Sequence, residues 1–369
     1  MPRFTLAYYI APACGEPHQR ERKAAMPYTV NTLAEAPSEK PAQGEEVPII
    51  DIADFLAKRP GALEKAGDAM RHAQENVGFY VLTGHGLDQG LVDAAFEQTA
   101  LFHGQPLEKK LALKANADNV GYMPVRGSVT RATPVAGVKP QPNLVEAFFL
   151  KRDLEADHRD VIAQKRFRPM NQWPNPNELP DFRPTMVAYM AAIEHLAKSL
   201  LPIYATALGL QPNWFDEAFS EPQYVLRCSH YPPHEPGPGQ FGIAPHTDSS
   251  FLTMLPQSGL PGLSLLTQSG KWIEPPVIAE SFVVNSGEMM KRWTNERFLA
   301  TPHRAINTTP GADRYAIPFF FDCSIDWLME CIPTCTTSDN PPKYSPTSYA
   351  EYMTWFYDQN YAHAKKQKG

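Results

Sequence analysis

A histidine and an aspartate two positions apart, followed far downstream by a second histidine, constrain this chain more than any other feature. His246 and Asp248 lie in the segment APHTDSSFLTML, and His303 lies in TPHRAIN. Alternate side chains of a β-strand face the same side, so His246 and Asp248 would point together, with Thr247 facing away. Two imidazoles and one carboxylate suit iron(II), manganese or zinc. If the three residues share a metal, the fold must return His303 to the interior that His246 and Asp248 face. The alternative is a solvated turn after Pro245.

The region around these residues has the pattern of a β-structure. From about residue 222, short apolar and β-branched runs are separated by Gly, Pro and Asn. Such evenly spaced strands with turn residues between them predict a sandwich or a barrel. The runs are YVLRCSHYP, SFLTMLPQ, GLSLLTQSG, SFVVNSG, HRAIN and RYAIPFFF. Both candidate metal segments fall inside this β region, which we place at residues 221–335.

The part of the chain before it has a helical texture. Residues 1–46 are rich in Ala, Pro, Glu and Lys without periodicity, and we expect a disordered or extended tail. Residues 47–220 predict a helix-rich region that packs on the β core, and residues 336–369 predict a C-terminal helix and tail. We expect helices at 61–77, 88–103, 106–114 and 183–208. We expect strands at VPIIDIADFL, GFYVLTGHG and VEAFFL. Residues 115–145 are expected to form a loop, and residues 153–180 an irregular connection.

Composition excludes several classes of partner. The formal net charge is −6 and no basic block stands out, so neither nucleic acid nor an anionic membrane surface is an expected partner. No apolar run reaches the length of a membrane span, and the N-terminal segment is too short and too polar for a secretory signal. The five cysteines are odd in number and scattered, which favours a reduced, cytoplasmic protein. Translation could begin at Met1 or Met26.

A candidate anion-binding group follows the second histidine. Arg314 lies in the strand-like run DRYAIPFFFD, and an arginine beside a metal can hold a carboxylate in a bidentate pair. Upstream, the segment RCSHYPP supplies Ser229 and Tyr231, whose hydroxyls could reach the same carboxylate. The three side chains predict a pocket for a carboxylate next to the metal.

Several motifs in a fixed order resemble one family. VPIIDIADF, GFYVLTGHG, RCSHYPP and FVVNSGEMMKRWTNERFLATPHRAIN resemble the segments of the isopenicillin N synthase-like iron(II) and 2-oxoglutarate-dependent dioxygenases. The resemblance covers residues 47–357. It implies a mainly β fold with flanking helices, built on a distorted double-stranded β-helix (jelly roll).

The same resemblance implies an activity and its cofactors. Iron(II) would be held by His246, Asp248 and His303, and 2-oxoglutarate by Arg314 and Tyr231. With O2 as the second cosubstrate, and ascorbate as a candidate reductant, the enzyme would oxidise an unactivated C–H bond of a small molecule by hydroxylation, desaturation or cyclisation.

Two departures from the family pattern lie at the 2-oxoglutarate pocket. Ala316 stands where the family has the serine of its R-x-S motif, and Ser229 stands where an asparagine is usual. One lost hydrogen bond to a charged group costs on the order of 1.5–3 kcal/mol. Ala316 keeps two related interpretations open, a 2-oxoglutarate-independent oxidase and an ethylene-forming enzyme. A non-catalytic binding protein on the same fold is the third alternative, although all three metal ligands are intact.

Substrate contacts are the least constrained part of the sequence. Arg227 precedes Tyr231 on the same strand and could bind a substrate anion or form a structural salt bridge. Phe241, Phe251 and Phe319, with Phe321, could line an apolar pocket or belong to the core. We expect a small-molecule substrate, and a monomer is plausible.

Overall fold

The computed structural model describes residues 41–131, 133–233, 237, 239–306 and 311–360. The described helices are α1 (Ala53–Leu56), α2 (Ala62–Asn76), α3 (Gln89–His103), α4 (Leu107–Ala112), α5 (Arg159–Ile162), α6 (Phe182–Ala207), α7 (Glu288–Trp293) and α8 (Tyr349–Asn360). The predicted tail lies outside the described residues except for its last few positions, and so does the end of the chain beyond residue 360.

Strands predominate in the second half of the chain. They are β1 (Ile49–Asp51), β2 (Phe79–Thr83), β3 (Gly121–Met123), β4 (Glu146–Lys151), β5 (Pro222–Tyr231), β6 (Ile243–His246), β7 (Leu252–Pro256), β8 (Leu263–Leu266), β9 (Trp272–Ile273), β10 (Phe282–Ser286), β11 (His303–Ala305), β12 (Arg314–Ala316), β13 (Phe319–Ser324), β14 (Leu328–Met329) and β15 (Thr347–Ser348).

Two sheets form the body of the molecule. The larger one runs in the order β1-β2-β10-β7-β13-β5-β4-β3, with β12 also paired to β5, and the smaller one runs β6-β11-β8-β9. Apart from β1 with β2, all neighbouring strands in these sheets are antiparallel. Two largely antiparallel sheets with chain crossovers between them are the architecture of a jelly roll, which the family resemblance implied.

The long helix α6 supports the outer face of the larger sheet. Its apolar positions recur with helical spacing, and Met186, Met190, Ile193, Leu196 and Leu200 are all buried, which confirms the predicted amphipathic helix. They belong to one large cluster that also contains residues of α2, α3 and several strands. The helices therefore cover the side of the sheet that faces away from the smaller sheet.

The structure also corrects several predictions. The N-terminal region contributes β1, β2, β3 and β4 to the large sheet, so it does more than pack on the β core. The expected loop at 115–145 contains β3, and the expected irregular segment at 153–180 contains the single turn of α5. These short elements lack the periodicity that a sequence pattern needs, and tertiary pairing decides them.

Candidate functional site

The two histidines are brought together by strand pairing. His246 ends β6 and His303 begins β11, and the two residues are directly opposite each other in the antiparallel pair. Cross-strand partners project to the same face, and their ring centroids lie 4.4 Å apart. Asp248 lies just beyond the end of β6 rather than inside a strand, yet its carboxylate faces the same point. Oδ1 of Asp248 is 3.6 Å from Nε2 of His246 and 3.5 Å from Nε2 of His303.

Each histidine is held in one tautomer by the backbone. Nδ1 of His246 lies 2.9 Å from the carbonyl oxygen of Ala244, and Nδ1 of His303 lies 3.1 Å from that of Thr301. A carbonyl oxygen can only accept, so each Nδ1 donates its proton and each Nε2 is left with a lone pair. Both lone pairs face the Asp248 carboxylate, which is the orientation that metal-binding histidines take.

The carboxylate of Asp248 is oriented from the opposite sheet. Its Oδ2 accepts hydrogen bonds from the Thr253 hydroxyl on β7, at 2.6 Å, and from the Asn285 amide on β10, at 2.8 Å. Oδ1 is thereby left to face the two imidazoles.

Close packing fixes the backbone here, because a Cβ at Gly287 would collide with the Ser250 backbone and lie 2.8 Å from the Asp248 carbonyl oxygen. Sequence reasoning missed Thr253 and the role of Asn285, although the alternation along β7 and β10 carries a signal for both.

Electrostatics at this point suit a divalent cation. Burial and the neighbouring His303 ring lower the pKa of His246 to about 4, so His246 is neutral at pH 7. Burial by itself would raise the pKa of Asp248, but the His303 and His246 rings and the Asn285 amide hold that pKa well below its usual range. Burial would lower the pKa of His303, whereas the facing Asp248 carboxylate raises it. A metal ion would replace the proton that this carboxylate attracts.

The ligand-type atoms of the three residues lie within 4.8 Å of one another. Two imidazole nitrogens and one carboxylate oxygen on one side of a shared point leave the other side open. This donor set, with hydrogen-bonded outer groups, fits iron(II) of the 2-His-1-carboxylate type.

A second group with metal-ligand side chains has a different character. Glu146, on β4, contacts both His103 and His230. The Lys110 ammonium also lies 2.9 Å from a Glu146 carboxylate oxygen, and Tyr122 donates a hydrogen bond to the same carboxylate. An ammonium already occupies the position that a cation would take, so the group is a buried ion network that joins α4 to β4 and β5.

An inner cavity extends from His246, Asp248 and His303 to Arg314. Its remaining walls are mainly apolar and come from both sheets; they include Phe79, Ile243, Leu255, Leu263 and Val283. Tyr231, Arg227 and Ala316 also line it, so the cavity brings together most of the residues that the sequence suggested.

The Arg314 guanidinium is buried without a partner. The residue is 5% exposed, and its Nε and Nη1 atoms make no hydrogen bond to the described residues. It is paired across β12 and β5 with Tyr231, whose ring centroid lies 5.0 Å from the guanidinium carbon. Gly262 leaves room for it, since a Cβ there would lie 3.0 Å from Nε. A buried guanidinium without partners is costly, and a ligand carboxylate would satisfy it.

Ser229 and Ala316 are direct partners in the same strand pair. By strand alternation Ser229 shares the face of Arg227 and Tyr231, and its hydroxyl is buried without a hydrogen-bond partner among the described residues. Position 316 therefore carries no hydroxyl, but Ser229, directly opposite it on β5, does.

A second, outer cavity is also lined by His246 and Asp248. Arg227 lines both cavities, and Phe149 and Phe320 line the outer one. The C-terminal helix α8 closes part of it. Nothing in the sequence indicated that α8 reaches the site, because its aromatic spacing is equally typical of simple packing.

The structure places the suggested aromatic substrate contacts away from both cavities, which corrects that prediction. Phe251, Phe319 and Phe321 are fully buried in the large core cluster, on the side of the sheet that faces the helices. Alternation along β13 places Phe320, between the last two, on the cavity side. Phe241 belongs to a small separate cluster with Ala244 and Ile306 and lines neither cavity.

Comparison with known proteins assigns the chain to a class. The 2OG-Fe(II) oxygenase superfamily profile matches residues 222–322, and the profile described as non-haem dioxygenase in morphine synthesis N-terminal matches residues 47–176. The 2-oxoglutarate-Fe(II) type oxidoreductase hxnY of Emericella nidulans is 31% identical over 87% of this chain and 92% of its own length. The 2-oxoglutarate-dependent dioxygenase citB of Monascus ruber is 33% identical over 77% and 86%.

Solved structures agree in fold. A full-length Neurospora crassa protein in complex with alpha-KG and thymine superposes with a TM-score of 0.74 at 25% identity, covering 85% of this chain and 97% of that one. A 2OG-Fe(II) oxygenase family protein from Caulobacter crescentus gives 0.72 at 26% identity, covering 85% and 98%. The chain belongs to the 2OG-Fe(II) oxygenase superfamily. It is a 2-oxoglutarate-dependent dioxygenase, an oxidoreductase that uses iron(II), 2-oxoglutarate and O2.

Among the described residues, no helix combines the length and the apolar character needed to cross a membrane.

Proposed function

We propose that His246, Asp248 and His303 hold the catalytic iron and that Arg314 anchors 2-oxoglutarate in the inner cavity. The observation that carries this assignment is the single cavity that joins three converging ligand atoms to a buried, unpartnered guanidinium. When bound there, iron(II) would supply the activation of O2 for oxidation of a C–H bond.

The chain's own residues orient and enclose the reactants. Thr253 and Asn285 hold the Asp248 carboxylate, and the Ala244 and Thr301 carbonyls fix the imidazoles. Arg314 would form a bidentate pair with the far carboxylate of 2-oxoglutarate, supported by the hydroxyls of Tyr231 and Ser229. The apolar walls of the inner cavity keep water away from that ion pair and so strengthen it.

We assign the chain to the isopenicillin N synthase-like branch on the order of its motifs. The substrate is a small molecule, as for the Neurospora crassa protein, whose structure contains thymine. The outer cavity is lined by His246 and Asp248, so a small molecule that enters it reaches the proposed metal ligands. The division of the chain at residues 47, 221 and 336, and residence in the cytoplasm, stay predictions.

Two variants test the assignment. Asp248→Ala removes one ligand, and Arg314→Leu removes the anchor while keeping a large side chain. With iron(II), O2 and 2-oxoglutarate supplied, succinate release should be lost in both. Calorimetry should show lost metal binding for Asp248→Ala and retained metal binding with lost 2-oxoglutarate binding for Arg314→Leu.

A buried acid elsewhere provides the control. Asp160 lines neither cavity and lies 3.7 Å from Arg168. Asp160→Ala should keep both binding steps. Normal metal binding by Asp248→Ala, or normal 2-oxoglutarate binding by Arg314→Leu, would contradict the corresponding assignment.

A further inference from the structure

The outer cavity contains a second cationic side chain without a counterion. Arg227 lies on β5, and its Nε is buried without a hydrogen-bond partner. Its side chain forms no ion pair with the described residues and lies over the Phe149 ring, whose centroid is 5.6 Å from the guanidinium carbon. Arg227 is partly exposed and lines the cavity, so an anion that enters the cavity can reach its guanidinium and form a charge-assisted pair with it.

The acids that line the outer cavity are engaged elsewhere. Asp248 directs one oxygen to the two imidazoles and the other to Thr253 and Asn285. Oδ1 of Asp322 accepts a hydrogen bond from the Phe251 amide at 2.7 Å. No protein carboxylate among the described residues is therefore placed to neutralise Arg227.

The two unpaired arginines serve different spaces. Arg314 lines the inner cavity but not the outer one, whereas Arg227 lines both cavities together with His246 and Asp248. If Arg314 holds the far carboxylate of 2-oxoglutarate, Arg227 remains for a ligand that enters from the outer cavity. An anion paired with Arg227 would lie beside the metal-type residues.

Aromatic rings line part of the outer cavity, and its polar lining side chains include those of Ser128, Thr130, Asn143 and Ser249. Phe149 and Phe320 come from strands of the large sheet, and Phe356 and Tyr357 come from α8. Phe149 is the direct cross-strand partner of Arg227, so an apolar surface begins next to the cation. These rings favour a flat body that can stack or pack edge-on against them, and the polar side chains leave room for polar substituents on it.

From these observations we infer that the substrate is a small carboxylic acid with a planar ring body, and that Arg227 binds its carboxylate. This inference rests on the proposed function, because it assigns Arg227 to the substrate only if Arg314 takes 2-oxoglutarate. Arg227 is thus a specificity-determining residue of the outer cavity.

Matched acid and amide probes test the inference. The full-length protein is loaded with manganese(II), and 2-oxoglutarate binding is measured first by calorimetry. 2-Naphthoate, phenylacetate and cinnamate are then titrated, each beside its primary amide, which has nearly the same shape without the charge. We expect at least one acid to bind at least tenfold more tightly than its amide, as a charge-assisted hydrogen bond requires.

Variants at position 227 test whether Arg227 causes the preference for the acid over its amide. Arg227→Met should reduce the acid-to-amide ratio to about one, and Arg227→Lys should keep a smaller preference because the charge remains. Arg227→Gln gives a second uncharged variant in case the methionine variant does not fold. Arg152 provides the control, since it is partly buried, pairs with Glu194 at 2.6 Å and lines neither cavity. Arg152→Met should keep the wild-type ratio.

The outcomes separate the two proposals. Absence of 2-oxoglutarate binding in the loaded wild-type protein would overturn the proposed function itself. Normal 2-oxoglutarate binding with no preference for any acid over its amide, or a preference that survives in the uncharged variants, would overturn the inference about Arg227 alone.

Discussion

Removal of the buried Ser229 hydroxyl should weaken 2-oxoglutarate binding, because strand pairing places Ser229 opposite the position where the family has a serine. Ser229 lies opposite Ala316 on the paired strand, and its hydroxyl has no partner among the described residues. We predict that this hydroxyl donates to the far carboxylate of 2-oxoglutarate, in place of a serine at position 316. A hydrogen bond to a charged group is worth about 1.5–3 kcal/mol, and each 1.4 kcal/mol is tenfold in affinity. Ser229→Ala should therefore weaken 2-oxoglutarate binding roughly ten- to a hundredfold.

A double-variant comparison gives the test its specificity. In the Ser229→Ala background, Ala316→Ser restores a hydroxyl on the neighbouring strand and should recover most of the lost affinity. Ser264 is the control, because its hydroxyl is also buried without a partner among the described residues, but it lies on β8 opposite Arg304 rather than beside Arg314 and Ala316. Ser264→Ala should leave 2-oxoglutarate binding unchanged.

Calorimetric titration of 2-oxoglutarate into the metal-loaded wild type and variants measures all four proteins. The reasoning is refuted if Ser229→Ala binds 2-oxoglutarate as tightly as the wild type. It is refuted equally if Ala316→Ser brings no recovery in the Ser229→Ala background, since the lost affinity would then come from a general disturbance of β5.

Two further results are expected. Asn285→Ala should weaken metal binding about 10- to 100-fold, because the Asp248 carboxylate loses one of its two hydrogen-bond donors. Unchanged metal affinity in a metal titration would contradict this role of Asn285. For His230, burial alone would lower the pKa, but hydrogen bonds to Glu146 and Asp313 raise it. These hydrogen bonds therefore stabilise the folded protein fully below the unfolded-state pKa of His230, and that stabilisation is lost as the pH rises through the higher folded-state pKa. The free energy of unfolding of the wild type should fall over that interval more than that of His230→Gln; equal slopes in urea denaturation would argue against the network.

Much of the fold followed from local pattern. The apolar stripe of α6, the short alternating runs from β5 to β13 and the turn residues between them specify helix and strand because side-chain periodicity is a local property. The candidate ligands were also found in this way, since His246 and Asp248 are two residues apart near the end of one strand. Short elements such as β3 and α5 were not found, because pairing with distant segments stabilises them.

The sequence by itself determined the chemical groups of this protein: two histidines, an aspartate, and arginines on strands near them. Only the tertiary structure decided which groups meet. The pairing of β6 with β11 placed the histidines opposite each other, and β7 and β10 supplied the donors to Asp248. The structure also sent Phe251 and Phe319 to the core and brought α8 to the outer cavity. These choices depend on which face of a strand meets which neighbouring element, and that is set by packing among segments far apart in the chain rather than by any local run of residues.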